Sequence, residues 1–217
     1  MKMPQLPKIV YRFGDGVYVN LTNRCPNLCA FCIKTKWQMD FHGNNLDLAG
    51  QEPSAGRVVT ALEEELKQAP FKEVVFCGYG EPTMRLEVLL FVAQTLKGWR
   101  AQFKYPPFKI RLNTNGLGNL INHKDIVPEL AAVLDCVNIS LNAQNEEVWR
   151  EIVRPADGFE DGFGSVVDFI ERCVEAGFER VVASCVDKTG ADEIAVEKLA
   201  CSLGAEFYLR SFLDAKN

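Results

Sequence analysis

No stretch of this 217-residue sequence is apolar for long enough to span a membrane as a helix, which takes about 20 consecutive apolar residues. The most apolar stretch, LEVLLFVAQTL at 86–96, is interrupted by Glu87, Gln94 and Thr95 and has the pattern of an amphipathic helix. The first ten residues, MKMPQLPKIV, are broken by Pro4 and Pro7 and carry no apolar core of the kind a secretory signal needs. There is no short-period repeat and no low-complexity tract. Positive charge is in deficit: 24 Lys and Arg against 29 Asp and Glu give a net charge of −5. A broad basic field is therefore missing, and with it the electrostatic basis for non-specific nucleic-acid binding. Neither a nucleic acid nor a membrane is expected as a partner. The expected location is the cytoplasm, where the eight cysteines would be thiols or metal ligands rather than disulfides.

What is present is alternation. Short β-branched runs at 17–22, 73–77, 108–114, 137–141, 180–186 and 206–211 are separated by helical patterns at roughly 54–68, 83–97, 125–134, 162–176 and 191–203. Ser54 and Thr83 are the expected N-caps of the first two helices. Strands joined by crossover helices imply a mostly parallel sheet. Right-handed crossovers would curve it into a barrel or part of one, with an open doubly wound sheet as the alternative. Both architectures collect ligand-binding residues at the carboxyl ends of the strands.

The strands themselves favour the curved sheet. Tyr18, Asn20 and Thr22 alternate with Val17, Val19 and Leu21. Lys109, Arg111 and Asn113 alternate with Ile110, Leu112 and Thr114, and Asn138, Ser140 and Asn142 with Val137, Ile139 and Leu141. A parallel strand covered on both faces is nearly all apolar. Buried polar groups without partners cost about 1–3 kcal/mol each, so a polar face repeated on three strands predicts a wet or ligand-filled lumen.

After the first expected strand comes NRCPNLCAFC, which places Cys25, Cys29 and Cys32 in a CxxxCxxC pattern on a loop. Thiolates so spaced suit one metal centre. Three of them on a four-iron cluster leave one iron open, a catalytic arrangement, since electron carriers normally use four cysteines. Structural zinc completed by His42 is the competing metal reading. Of the scattered cysteines, Cys173 and Cys201 are expected in helix cores, and Cys77 and Cys185 near the lumen. No further close cysteine set follows the sixth strand, so a second cluster is not expected.

The stretch YVNLTNRCPNLCAFC resembles the signature of the radical S-adenosylmethionine (SAM) superfamily, with Phe31 at the aromatic position before the last cysteine. CGYGEPT is similar to that family's Gly-Gly-Glu-Pro turn, with Tyr79 in place of the first glycine, and NTNG and NISLNA are similar to its next two strand ends. Taken together, FCGYGEPT, RLNTNGLGNLI, DIVPELA and SLNAQ resemble TatD-associated radical SAM proteins. The resemblance implies a single radical SAM core domain over 1–217, an α/β fold built as a six-stranded partial barrel of mostly parallel strands. It implies a 4Fe–4S cluster on Cys25, Cys29 and Cys32, with SAM chelating the open iron through its amino and carboxylate groups. A reductant such as flavodoxin or ferredoxin would drive cleavage to a 5′-deoxyadenosyl radical, which abstracts hydrogen from a substrate. Glu81 and the Gly80 backbone would receive the SAM amino group. Asn113 or Thr114, with Ser140, would hold its carboxylate and ribose, and the Phe31 backbone would meet the adenine. Asn142 and Arg210 complete the expected cofactor contacts.

Two other functions remain open from sequence: a radical SAM activase acting on a glycyl-radical partner protein, and a non-catalytic metal-binding protein. The substrate is expected to be a small molecule that is anionic or rich in hydrogen-bond acceptors, because strand alternation points Arg111 and Arg210 inward, toward it or SAM, and neither can be buried without a counter-charge. Asp187 is a candidate structural partner. The connections 33–52 and 98–107 are long for a compact α/β domain and are expected to help form a lid.

Overall fold

The computed structural model describes residues 6–213. Seven strands form one sheet in the order β1 (Val10–Phe13), β2 (Gly16–Val19), β5 (Glu73–Phe76), β6 (Lys109–Thr114), β7 (Cys136–Ser140), β8 (Arg180–Val186) and β9 (Glu206–Arg210). The strands from β2 to β9 run parallel, and β1 joins β2 as an antiparallel hairpin. A separate ribbon of β3 (Asp40–Phe41) and β4 (Asn44–Asn45) follows the short α1 (Ile33–Lys36). The remaining helices are α2 (Ala55–Leu66), α3 (Leu86–Ala101), α4 (Gly118–Asn122), α5 (Val127–Ala131), α6 (Glu146–Val153), α7 (Gly162–Glu175) and α8 (Glu193–Ser202), with a 3₁₀ turn at Pro82–Arg85 before α3.

The alternation along the strands sorts them into two faces. Val17, Val74, Phe76, Ile110, Leu112, Val137, Ile139 and Ala183 are wholly buried in the core, together with Leu62, Leu89 and Phe169 of the helices. Burial of a side chain such as Phe76 or Leu112 contributes about 1.5–3 kcal/mol relative to exposure. The opposite face carries Tyr18, Arg111, Asn113, Asn138, Ser140 and Ser184, which line a cavity of about 830 Å³. The polar face thus has its lumen, as the strand pattern implies.

Several expectations need correction. The six parallel strands gain a seventh partner, because the hairpin at Gly14, with φ +59°, adds β1 at the edge. β2 ends at Val19; Asn20 keeps a backbone bond to Ile9 O (2.8 Å), and its Nδ2 donates to the Leu46 carbonyl (2.9 Å). Ser54 caps α2 as expected, accepting from Arg57 N. Thr83 caps nothing. It lies inside the 3₁₀ turn, which Glu81 caps, and α3 begins at Leu86. α6 lacks an expected counterpart, being only two turns long, with Trp149, Ile152 and Val153 on its buried side. Cys173 is a core residue, but Cys201 is exposed. α3 continues to Ala101, so the first four residues of the expected 98–107 loop are helix. The rest leads into the amino end of β6, opposite the end where functional loops gather, and cannot cover them. None of the helices among the described residues is long and apolar enough to cross a membrane.

Candidate cluster and cofactor site

The loop carrying Cys25, Cys29 and Cys32 leaves the carboxyl end of β2 and is fastened on two sides. On one side, the Leu28 and Ala30 amides donate to the carbonyls of Arg154 (3.0 Å) and Ile152 (2.9 Å), and the Ala156 amide donates to Pro26 O (2.7 Å). On the other, Glu81 N donates to Arg24 O (2.8 Å). Gly80 passes so close beneath the loop that no side chain fits there. Below these contacts the Glu52 carboxylate accepts from the Thr22 hydroxyl, from Arg24 Nε (2.8 Å) and from Arg85 Nη1 (2.9 Å). Burial alone would raise the pKa of Glu52, but the hydrogen bonds from Arg24 and Thr22 and the nearby guanidinium charges hold it below its ordinary value.

All three thiols of the loop are free and half-buried. Cys25 and Cys32 line the cavity, and Asn115 aims its side-chain amide at Cys25 Sγ from 3.9 Å. Burial pushes the Cys25 thiol up to about 11. Burial does the same to Cys29, to about 12, and there the neighbouring Cys25 and Cys32 add to the rise, so the sulfurs are close enough to interact. No three His, Cys, Asp or Glu side chains among the described residues converge tightly enough to hold a single ion. Three cysteine thiols on one loop are the donor set of an iron–sulfur cluster. His42 takes no place beside them; its ring stacks on Phe13, 5.1 Å between centroids.

The expected cofactor residues divide into two groups. Phe31, Gly80, Asn113, Ser140 and Arg210 line the cavity with Cys25 and Cys32. Asn142 stands beside them, its Oδ1 accepting from Arg210 Nη2 (3.3 Å). It adopts φ +64°, a left-handed conformation that asparagine tolerates better than most residues.

The side chains of Glu81 and Thr114 belong elsewhere. Glu81 is 2% exposed. Its Oε1 accepts from Thr83 N (3.1 Å), Thr83 Oγ1 (2.8 Å) and Thr114 Oγ1 (2.9 Å), and its Oε2 from Asn115 N (2.7 Å). Burial raises its pKa and these four donors oppose that rise. The carboxylate expected to meet an ammonium instead ties the 3₁₀ turn to the end of β6. Thr114 Oγ1 is likewise occupied, accepting from Gly116 N (3.1 Å).

The replaced glycine has an equally local explanation. Tyr79 is not among the residues with positive φ, so its position makes no demand for glycine. Its ring walls the cavity and its hydroxyl donates to Asp40 O (2.7 Å), holding the β3–β4 ribbon in place. This ribbon brings Phe41 to the cavity wall beside Tyr11, Phe13 and Tyr18, an aromatic surface that strand periodicity does not reveal. Of the two lumen candidates among the scattered cysteines, Cys77 lines the cavity, whereas Cys185 faces the helical core.

A parallel, curved α/β sheet with a three-thiol loop at the carboxyl end of its first parallel strand defines a cofactor-dependent enzyme class. The sequence model of the Radical SAM superfamily matches residues 19–198, and the chain belongs to that superfamily. Its members use a 4Fe–4S cluster and SAM and are enzymes. The chain is 29% identical over 185 residues to molybdenum cofactor biosynthesis protein 1 of Bos taurus, covering 84% of this chain and 25% of the relative. It is 24% identical over 151 residues to GTP 3′,8-cyclase of Paenarthrobacter nicotinovorans, covering 67% of this chain and 38% of the relative. The chain therefore spans about a quarter to two fifths of these relatives' lengths. Among solved structures, it superposes on HydG, a maturase of the FeFe-hydrogenase, with TM-score 0.61 at 13% identity, covering 93% of this chain and 43% of that one. It superposes on TYW1 with a lysine-pyruvate adduct bound at TM-score 0.60 and 14% identity, covering 93% and 67%. These structures share the fold.

Proposed function

We propose that this chain is a single radical SAM core domain that cleaves SAM reductively and abstracts hydrogen from an anionic small molecule. The observation that carries this reading is the cysteine loop: two of its three thiols face a cavity whose other wall is the polar face of a parallel sheet. The narrower likeness to TatD-associated radical SAM proteins remains part of the reading on the motifs that suggested it. When bound, the cluster and SAM supply one-electron cleavage to methionine and a 5′-deoxyadenosyl radical, with flavodoxin or ferredoxin as the electron donor.

Within this scheme, Cys25, Cys29 and Cys32 hold the cluster. Gly80 offers backbone groups at the cavity wall to the SAM amino group, a role that falls to the backbone because the Glu81 carboxylate is fully hydrogen-bonded within the protein. Asn113 and Ser140 meet the SAM carboxylate and ribose, the Phe31 backbone meets its adenine, and Asn142 orients Arg210. The segment 33–52, through Ile33, Phe41 and Leu46, covers one side of the cavity and excludes water. Eight free thiols suit a reducing compartment, and the cytoplasm is the proposed location.

Anaerobic reconstitution followed by iron and sulfide analysis tests the reading. About four of each per chain are expected, lost on replacing Cys25, Cys29 or Cys32 by Ala and retained in Cys201→Ala. Stoichiometric zinc without iron in protein purified without oxygen would contradict it.

A further inference from the structure

Three arginines line the cavity, and the protein itself neutralises two of them. Arg111 forms a two-pronged pair with Glu73, Nε to Oε2 at 2.9 Å and Nη2 to Oε1 at 2.6 Å. Arg180 pairs with Glu206 at 2.7 Å. Arg210 has no carboxylate partner among the described residues. Its Nη2 makes two long bonds to neutral acceptors, Ser140 Oγ and Asn142 Oδ1, both at 3.3 Å. Its Nε is buried and has no partner. Its Cζ stands 5.9 Å from the centroid of Phe31. Asp187, the structural partner suggested by the sequence, accepts from Phe212 N and gives its own amide to Arg210 O, leaving the guanidinium untouched.

A guanidinium carries five donors in a fork that matches carboxylate and phosphate. Holding one half-buried with an orphaned Nε is costly unless a counter-charge arrives. In the arrangement the family implies, the SAM carboxylate is taken up with its amino group by the open iron, which leaves the Arg210 charge unmet. The cavity, at about 830 Å³, lies near the upper end of the range for a drug-sized ligand. Neutral and anionic walls are available elsewhere in it, but among the described residues that line it no second arginine lacks a carboxylate partner.

We propose that Arg210 is the receptor for a carboxylate or phosphate group of the second ligand, the molecule on which the radical acts. This rests on the reading above and assigns its substrate class to a single residue. Arg111, also expected from sequence to meet the ligand, is assigned to the barrel wall by its pairing with Glu73. Arg210 is a specificity-determining residue on this view, and the Phe31 ring and Asn142 hold its fork toward the cavity.

The test uses reconstituted, SAM-loaded protein titrated calorimetrically with inorganic phosphate and with benzoate. Saturable binding of at least one anion is expected in the wild type, weakened tenfold or more in Arg210→Gln and less in Arg210→Lys. Equal iron content and equal thermal midpoints in the variants identify the loss as local; if Arg210→Gln does not fold, Arg210→Lys carries the comparison, with weaker binding expected. A parallel arm measures affinity for SAM and for decarboxylated SAM. The preference for SAM should be the same in wild type and variants. If Arg210→Gln erases that preference and leaves anion binding intact, the residue serves SAM and the substrate assignment is overturned. Wild-type anion binding in the variants, or no saturable binding in the wild type, overturns it as well. Release of 5′-deoxyadenosine by the wild type is read separately, so failure here leaves the radical SAM reading standing.

Discussion

Gly80 lies so close beneath Thr22 that a Cβ added to it would sit 2.3 Å from the Thr22 carbonyl oxygen, and 2.6 Å from that of Arg24. Both obstacles are backbone, part of the chain that leads directly into Cys25. The glycine is therefore required by the cluster loop itself, whatever a ligand demands of the same turn. Gly80→Ala is expected to displace the loop, at a cost of about 1–3 kcal/mol, the usual scale of overpacking. Denaturation midpoints and iron content after reconstitution should fall together. Normal values of both would show that the loop yields without consequence.

Glu81 invites a test that separates two roles. As a ligand for SAM, its loss would weaken SAM binding and leave folding alone. As an acceptor of four internal hydrogen bonds, it should show the reverse. Glu81→Gln turns an amide donor toward donors it cannot satisfy, and each unsatisfied buried group costs about 1–3 kcal/mol. Chemical denaturation should report that loss, while protein that still holds the cluster binds SAM with little change. A stable variant with weakened SAM affinity would return the carboxylate to the cofactor.

The Glu52 clamp predicts a pH dependence of definite sign. Its folded pKa lies below the ordinary 4.5, so its contribution to stability is fully present above pH 4.5 and is lost as pH falls through the folded value. Glu52→Gln should lower stability at neutral pH and flatten the acid limb of the stability profile. Parallel profiles for the two proteins would mean that Thr22, Arg24 and Arg85 hold the loop without it.

Hydrogen exchange distinguishes the two segments that sequence length alone had grouped as covers. Amides within 33–52 should exchange more slowly once cluster-loaded protein binds SAM. Those at 102–108, which lead into the amino end of β6, should not respond. Equal protection in both, or in neither, contradicts the placement of the cover on the β3–β4 side.

The architecture was legible where a physical period repeats. Alternation in Tyr18, Arg111, Asn138 and their apolar neighbours implied a parallel sheet with one helical face and one polar lumen. The cysteine loop was legible because three thiols in eight residues have few other uses. What escaped was set by contacts between distant segments. Val10–Phe13 is the exception: its partner is the hairpin's own return, the Gly14–Asp15 turn marks it locally, and it lies outside the alternation of strands and helices that the periodicity follows. α6 is too short for its period to stand out, although Trp149 and Ile152 anchor it. The use of Glu81 depends on Asn115 and Thr114, more than 30 residues away. The aromatic wall depends on a two-residue ribbon. The difference between Arg111 and Arg210 lies wholly in Glu73, which strand periodicity could place near one and not the other.

The central claim is tested most directly by incubating anaerobically reconstituted, reduced protein with SAM and quantifying 5′-deoxyadenosine by chromatography. Slow release without added substrate is expected from the wild type and from Cys201→Ala, and none from Cys25→Ala, Cys29→Ala or Cys32→Ala. An absence of the nucleoside from cluster-loaded wild type under strong reductant, or its undiminished release by the three cysteine variants, would contradict the account.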